Sequence, residues 1–290
     1  MITRQSRHRR PGIFGTLACA GMALASGQAF ADGEPRAWEI AMQAAASPIR
    51  EHIDSLYDEI LVIITGVVIL VVGLLLYTIL RFNRKAHPVP TKATHNAVLE
   101  MSWTVAPVII LTVIAVPSFK LMYYMDDVRD PQMTINVTAH QWYWTYAYPT
   151  EGGLTFDSNV LSADQDAKEG KPRLLGVDNP LVVPVNTTIR VLVTSTDVIH
   201  SWFVPSMGVQ EYAVPGRTNH AWFSVDRLGT YYGQCNQLCG INHSFMPIEI
   251  DALSKADFAR WLAKAKNRFA YEDRGRQDSA DRSAASAARG

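Results

Sequence analysis

The sequence predicts a two-helix membrane hairpin followed by an all-β sandwich or Greek-key barrel. Two long apolar stretches predict the hairpin, and a later series of short β-branched and aromatic runs divided by turn residues predicts the β domain. A cluster of sulfur and imidazole side chains late in that domain adds chemistry to it. The chain has 290 residues, is 48% hydrophobic and carries zero formal net charge. It is too apolar for disorder, and nothing in its charge argues for a nucleic-acid partner.

Residues 1–31 read as a secretory signal. Arg4, Arg7, Arg9 and Arg10 form a basic start, Ile13 to Ala25 an apolar middle, and Ala29-Phe30-Ala31 a small-residue cleavage site. The competing reading is a lipoprotein signal ending at Cys19, although the apolar run before that cysteine is very short. Cleavage after Ala31 leaves Cys235 and Cys239 as the remaining cysteines, outside the inner membrane where unliganded thiols oxidise.

Residues 32–130 supply a lead-in and the hairpin. Pro48 opens a short helix, and spans are predicted at about 60–80 and 103–123. The first has no polar face; the second carries Pro107 and Pro117, which membrane helices tolerate when neighbours compensate. Between them lie Arg81, Arg84, Lys85 and Lys92, with no acid before Glu100. The outer flanks carry Asp54, Asp58 and Glu59 on one side and Asp126, Asp127 and Asp130 on the other. The positive-inside rule therefore places the loop in the cytoplasm and both ends outside. Glu100, at the inner foot of the second span, reads from position alone as a carboxylate facing water.

Residues 131–266 form the β domain. Runs at 133–139, 142–148, 180–185, 188–195, 219–225 and 229–233 are separated by Pro, Gly, Asn and Asp turns. Gln141-Trp142-Tyr143-Trp144 is aromatic on both faces of its strand, and Tyr143 and Trp144 read as packing residues. From Asp126 to Lys266 the chain holds 15 acids and 11 bases, a net −4 that suits a basic or dipolar partner. Ser254 and Asp257 start a closing helix with Phe258, Trp261, Leu262 and Ala265 on one face. The tail 267–290 loses apolar periodicity and is expected to be disordered.

The chemistry lies in Cys235 to Met246, CNQLCGINHSFM: two thiols, an imidazole and a thioether within twelve residues. Soft sulfur with imidazole favours copper over magnesium or calcium. His200, upstream in VTSTDVIHSW, adds a second imidazole, and Gly233 and Gly240 bracket the cysteines so that the backbone can loop tightly. Each side chain also has an ordinary reading. Cys-x-x-x-Cys outside the cytosol is often a disulfide, methionine usually packs a core, and a histidine at a strand end is often a hydrogen-bonded surface group.

YYGQCNQLCGINHSFMPI resembles the binuclear copper (CuA) loop of subunit II of haem–copper cytochrome c oxidases. IHSWFVPSMG, VPGRTN and HQWYWTY resemble that family's other motifs in the same order, over most of Ile60 to Ile250. The resemblance implies a cupredoxin-like domain in which Cys235 and Cys239 bridge two coppers. His200, His243, Met246 and the Gln237 main-chain carbonyl complete the set. It further implies that Trp142 receives electrons from cytochrome c and that Glu100 serves the entrance of the K proton pathway. Asp157, Asp178 and Asp197 match docking acids, although Ala147 replaces a usual glutamate. The implied partners are subunit I, which holds the haems, subunit III, cytochrome c and membrane lipid. The implied location is the bacterial inner membrane with the copper domain on its periplasmic side. Gln237 departs from the family's glutamate, whose side chain binds magnesium at the boundary with subunit I. Magnesium favours charged oxygens, so that second site is in doubt. Three rivals stay open: the quinol-oxidase branch of the family, a Sco-type copper-delivery protein with a thioredoxin-like fold, and a structural subunit with a Cys235–Cys239 disulfide.

Overall fold

The computed structural model of the chain describes residues 33–39, 42–89, 92–128 and 130–270. The signal reading of residues 1–31, the Cys19 alternative and the tail beyond 270 lie outside them.

Helix α1 (Pro48–Arg81) starts where Ser47 accepts a hydrogen bond from the Arg50 amide and Pro48 occupies the first turn, where it needs no N–H partner. The short helix expected at Pro48 and the first span are one continuous helix. Nothing between Pro48 and Ile60 breaks it, so the polar residues before Ile60 lengthen it. Its 34 residues reach about 50 Å, well beyond a ~30 Å hydrocarbon core. Helix α2 (Ala97–Asp126) is capped by Asn96 and contains both prolines without ending at either. The most apolar windows of the two have mean hydropathies of 3.1 and 2.1 and are wholly unburied, as lipid-facing or subunit-facing helices require.

Among the described residues, the β-sandwich holds ten strands. They are β1 (Met133–His140), β2 (Tyr143–Tyr148), β3 (Leu154–Ser158), β4 (Leu181–Pro184) and β5 (Ile189–Ser195), then β6 (His200–Val204), β7 (Val209–Ala213), β8 (Asn219–Phe223), β9 (Gly229–Cys235) and β10 (Pro247–Leu253). One sheet runs β3-β2-β1-β5-β8, the other β4-β10-β9-β6-β7. The pairs β1/β5 and β4/β10 are parallel. All six predicted runs are strands. Four strands had no alternation strong enough to announce them: short β3, β10 with its buried Glu249, and the β6–β7 hairpin, which turns at Gly208 with φ 64°. Helix α3 (Ala163–Glu169) was likewise not foreseen. Strand alternation puts Ile135, Val137, Trp144, Tyr146 and Val191 of one sheet inside, against Trp202, Val204, Tyr231, Ile248 and Ile250 of the other.

The hairpin joins the sandwich through backbone groups. The Ser47 hydroxyl donates to the Met207 carbonyl at 2.7 Å, and Arg50 Nη1 donates to the Pro205 carbonyl at 2.7 Å. Tyr124 of α2 meets Trp222 of β8 edge-on, ring centres 5.5 Å apart. At the other end, α4 (255–270) starts as expected, with the Ser254 hydroxyl donating to Asp257 and receiving its amide. It does not end at Lys266: helix continues through residue 270, and Phe269 stacks on Phe156 at 4.7 Å. Residues 267–270 therefore belong to the domain and not to a disordered tail. Phe269 continues the Trp261–Ala265 face by one more turn.

Candidate metal centre

The ladder between β9 and β10 carries the ligand loop. Cys235 ends β9, Pro247 opens β10, and the Cys235 amide donates to the Met246 carbonyl at 3.3 Å, closing the loop at its neck. His200 opens β6, whose Trp202 is paired with Cys235, so two separate stretches of sequence meet at the same end of one sheet. Glycine acts differently at the two bracketing positions. Gly240 has φ 122°, and a Cβ there would lie 2.9 Å from the Trp142 ring. Gly233 makes no loop: it sits inside β9, where a Cβ would collide with the Phe203 carbonyl of β6.

All six predicted ligands converge. The Cys235 and Cys239 sulfurs are 3.8 Å apart. Both are free thiols, not joined to each other. His200 Nδ1 lies 4.0 Å from the Cys235 sulfur, and His243 Nδ1 lies 3.6 Å from that of Cys239. The Met246 sulfur is 3.6 Å from Cys239. The Gln237 carbonyl is 3.3 Å from the Cys235 sulfur. The donor atoms of His200, Cys235 and Cys239 lie within 4.8 Å of one another, and all three residues are buried. Two unjoined thiols, two imidazoles, a thioether and one carbonyl facing a common volume fit copper by their softness. The Gln237 amide supplies no charged oxygen for magnesium.

Electrostatics divides the thiols. Burial opposes ionisation of Cys235, but hydrogen bonds involving His200, the local backbone and His243 outweigh it and hold the thiol down at about 6. Burial pushes Cys239 up to about 12, reinforced by the charge of Cys235. The surroundings thus favour ionisation of Cys235 over Cys239, and binding a metal through both sulfurs displaces whatever protons they hold. Burial works against protonation of His200 as well, yet its bonds with Cys235 and Asp197 leave it more basic than usual.

Several supporting contacts went unread in the sequence. Trp144 was read as packing; it packs edge-on to His200 and donates from Nε1 to the Met246 carbonyl at 3.2 Å. Gln141 Nε2 and Trp142 Nε1 both donate to the Cys239 carbonyl, at 2.8 and 3.2 Å, with Trp142 half-buried. Asp197 Oδ1 is 2.9 Å from His200 Nε2. The Asp-x-x-His spacing was the one available signal. Of the other acids, Asp157 accepts from the Thr145 hydroxyl and Asp178 from Asn159. Glu100 lies exposed in the first turn of α2, where it accepts from the Asn96 amide at 3.2 Å. Leu238 and Ile241 of the ligand loop are 76% and 86% exposed, an apolar rim beside the centre.

Fold and site together define a membrane-anchored β-sandwich with a soft-donor metal centre. The Cytochrome C oxidase subunit II periplasmic-domain profile matches residues 133–253, and the corresponding transmembrane-domain profile matches residues 35–121. The probable cytochrome c oxidase subunit 2 of Rickettsia bellii is 47% identical over 250 residues, 86% of this chain and 92% of the relative. The cytochrome c oxidase subunit 2 of Oenothera berteroana is 46% identical over 232 residues, 78% and 90% of the two chains. A solved structure, the periplasmic domain of subunit II of cytochrome oxidase from Bradyrhizobium japonicum, is 48% identical with a TM-score of 0.46. It covers 49% of this chain and 99% of its own. This chain belongs to the cytochrome c oxidase subunit II family, the electron-accepting subunits of a haem–copper oxidoreductase complex. Two membrane-length helices and a β-sandwich leave no room for the thioredoxin-like delivery reading.

Proposed function

We propose that the centre takes up binuclear copper and that the chain receives electrons from a soluble cytochrome c on the periplasmic side of a bacterial inner membrane. When bound, the copper pair supplies a one-electron store between that donor and haem in subunit I, where oxygen is reduced and protons are pumped. Cys235, Cys239, His200, His243, Met246 and the Gln237 carbonyl would hold the copper. Because these donors stand on one sheet end and its tight loop, neither oxidation state relaxes them far. The copper ligands' presence also argues against the quinol-oxidase branch.

Trp142 presents a half-exposed ring whose Nε1–H is bonded to the Cys239 carbonyl, giving a short covalent and hydrogen-bonded route from the surface to a ligand. Asp157, Asp178 and Asp197 contribute negative charge for a basic cytochrome face. Glu100, at the inner foot of α2, accepts protons for the K pathway of subunit I. Subunit III is a further expected neighbour, and both chain ends lie outside the cytoplasm. No step runs through magnesium.

The observation that carries this reading is the unjoined sulfur pair with both imidazoles and the thioether around it. Copper analysis and near-infrared absorption of the full chain in detergent test it. Two coppers per chain with a mixed-valence band are expected; a copper-free chain carrying a Cys235–Cys239 disulfide after expression with copper would overturn it.

A further inference from the structure

We propose that Asp197 is a positioning residue that holds His200 and the Gln141–Trp142 corner in one geometry around the metal centre. The inference rests on the copper reading above and gives Asp197 a task beyond surface charge.

The two carboxylate oxygens face two different ligand supports. Oδ1 is 2.9 Å from His200 Nε2 and accepts the Val198 amide at 2.6 Å. Oδ2 accepts the Gln141 amide at 2.6 Å, across 56 residues of sequence. From there the Gln141 and Trp142 side chains both reach the Cys239 carbonyl. His200 in turn faces Cys235, and Cys235 faces Cys239. One carboxylate thus closes a ring of contacts that passes through a histidine, both thiols and the surface tryptophan. Bonding Nε2 fixes the histidine tautomer and turns Nδ1 toward the sulfur.

Only a carboxylate meets this demand. It accepts on both oxygens, whereas an asparagine turns an NH2 toward one of two donors. Asp178 makes a useful contrast, since its carboxylate bonds are to Asn159 and reach no ligand residue. Removing its charge should leave the metal centre unchanged.

The test uses the purified oxidase complex with Asp197→Asn, Asp197→Ala and Asp178→Asn. Near-infrared absorption and the rate of copper loss to a chelator are measured beside the salt dependence of cytochrome c oxidation. Both Asp197 variants are expected to shift the near-infrared band and lose copper at least ~10-fold faster, the alanine more than the asparagine. Asp178→Asn should keep the band and the retention of the unmodified complex. Asp197→Asn, equal in size to the native residue, decides the matter by itself if the alanine variant does not assemble. Asp197 variants with an unshifted band and unchanged copper retention, altered only in salt dependence, would overturn the inference and leave Asp197 a docking acid. A copper-free unmodified complex would instead overturn the copper reading, and this inference with it.

Discussion

Strands β9 and β10 bury polar groups at two places, and the two behave in opposite ways. At one end Cys235, Cys239, His243 and Met246 gather with His200. A few residues along, Tyr232 faces Glu249 and Thr230 faces Asp251. There Glu249 accepts the Val177 amide at 2.8 Å and the Lys171 ammonium at 3.2 Å, while Asp251 accepts the Thr230 hydroxyl at 2.8 Å. Lys171 also bonds the Val177 carbonyl and Glu169. The hard groups satisfy one another and tie the loop after α3 to the sheet. The soft groups are left with lone pairs aimed at a shared volume. Burial alone does not make a site; unmatched donors do.

The largest expected effect lies at the sulfur end. Cys235→Ser should take bound copper from two per chain to none detectable, read by metal analysis, because serine offers a hard, protonated oxygen. The hard end should answer in stability and leave copper content alone. Lys171→Met strands a buried carboxylate and is expected to cost about 3 kcal/mol in a denaturant titration. Glu249→Gln leaves Lys171 its Glu169 partner and should cost about 1 kcal/mol. If copper content falls with Lys171→Met, the two ends are coupled and the contrast fails.

How far the contrast could be read from sequence depends on what each end uses. The sulfur end was legible because five of its six ligands sit in twelve consecutive residues, and the hairpin was legible because lipid demands unbroken apolar runs. Glu249 was not, since an acid in PIEIDAL reads as the exposed side of a strand until the loop from α3 covers it. Trp144 looked like packing because its Nε1 partner, the Met246 carbonyl, is 102 residues away. Gly233 looked like a turn residue, and only the pairing of β9 with β6 reveals the Phe203 carbonyl above it. Each missed role depends on a partner distant in sequence, which periodicity cannot register.

Acidity offers a finer probe. Burial raises both the Glu249 carboxyl, above its ordinary 4.5, and that of Asp251, above 3.8. The folded chain therefore holds protons that the unfolded chain releases, so this contribution to stability is complete below 3.8 and is lost as pH rises through the raised values. Lys171 is also raised, by its acidic neighbours against the pull of burial, and its contribution lasts until strongly alkaline pH. The drop in melting temperature caused by Glu249→Gln, measured across the acid range, should therefore shrink as pH rises, because the variant lacks the contribution that the wild type loses.

The smallest effect isolates one hydrogen bond. Thr230→Val keeps the side-chain shape and removes the only hydroxyl that bonds Asp251 Oδ1 among the described contacts. That bond favours the charged carboxylate, opposing the burial that raises it. Its loss should cost about 1 kcal/mol at neutral pH. The cost should shrink as pH falls toward the ordinary carboxylate range, because a protonated Asp251 needs the donor less. Copper content and the near-infrared band should not move. A penalty independent of pH would show that the hydroxyl serves packing and not charge, and the hard end would then owe its order to Lys171 and Glu249 alone.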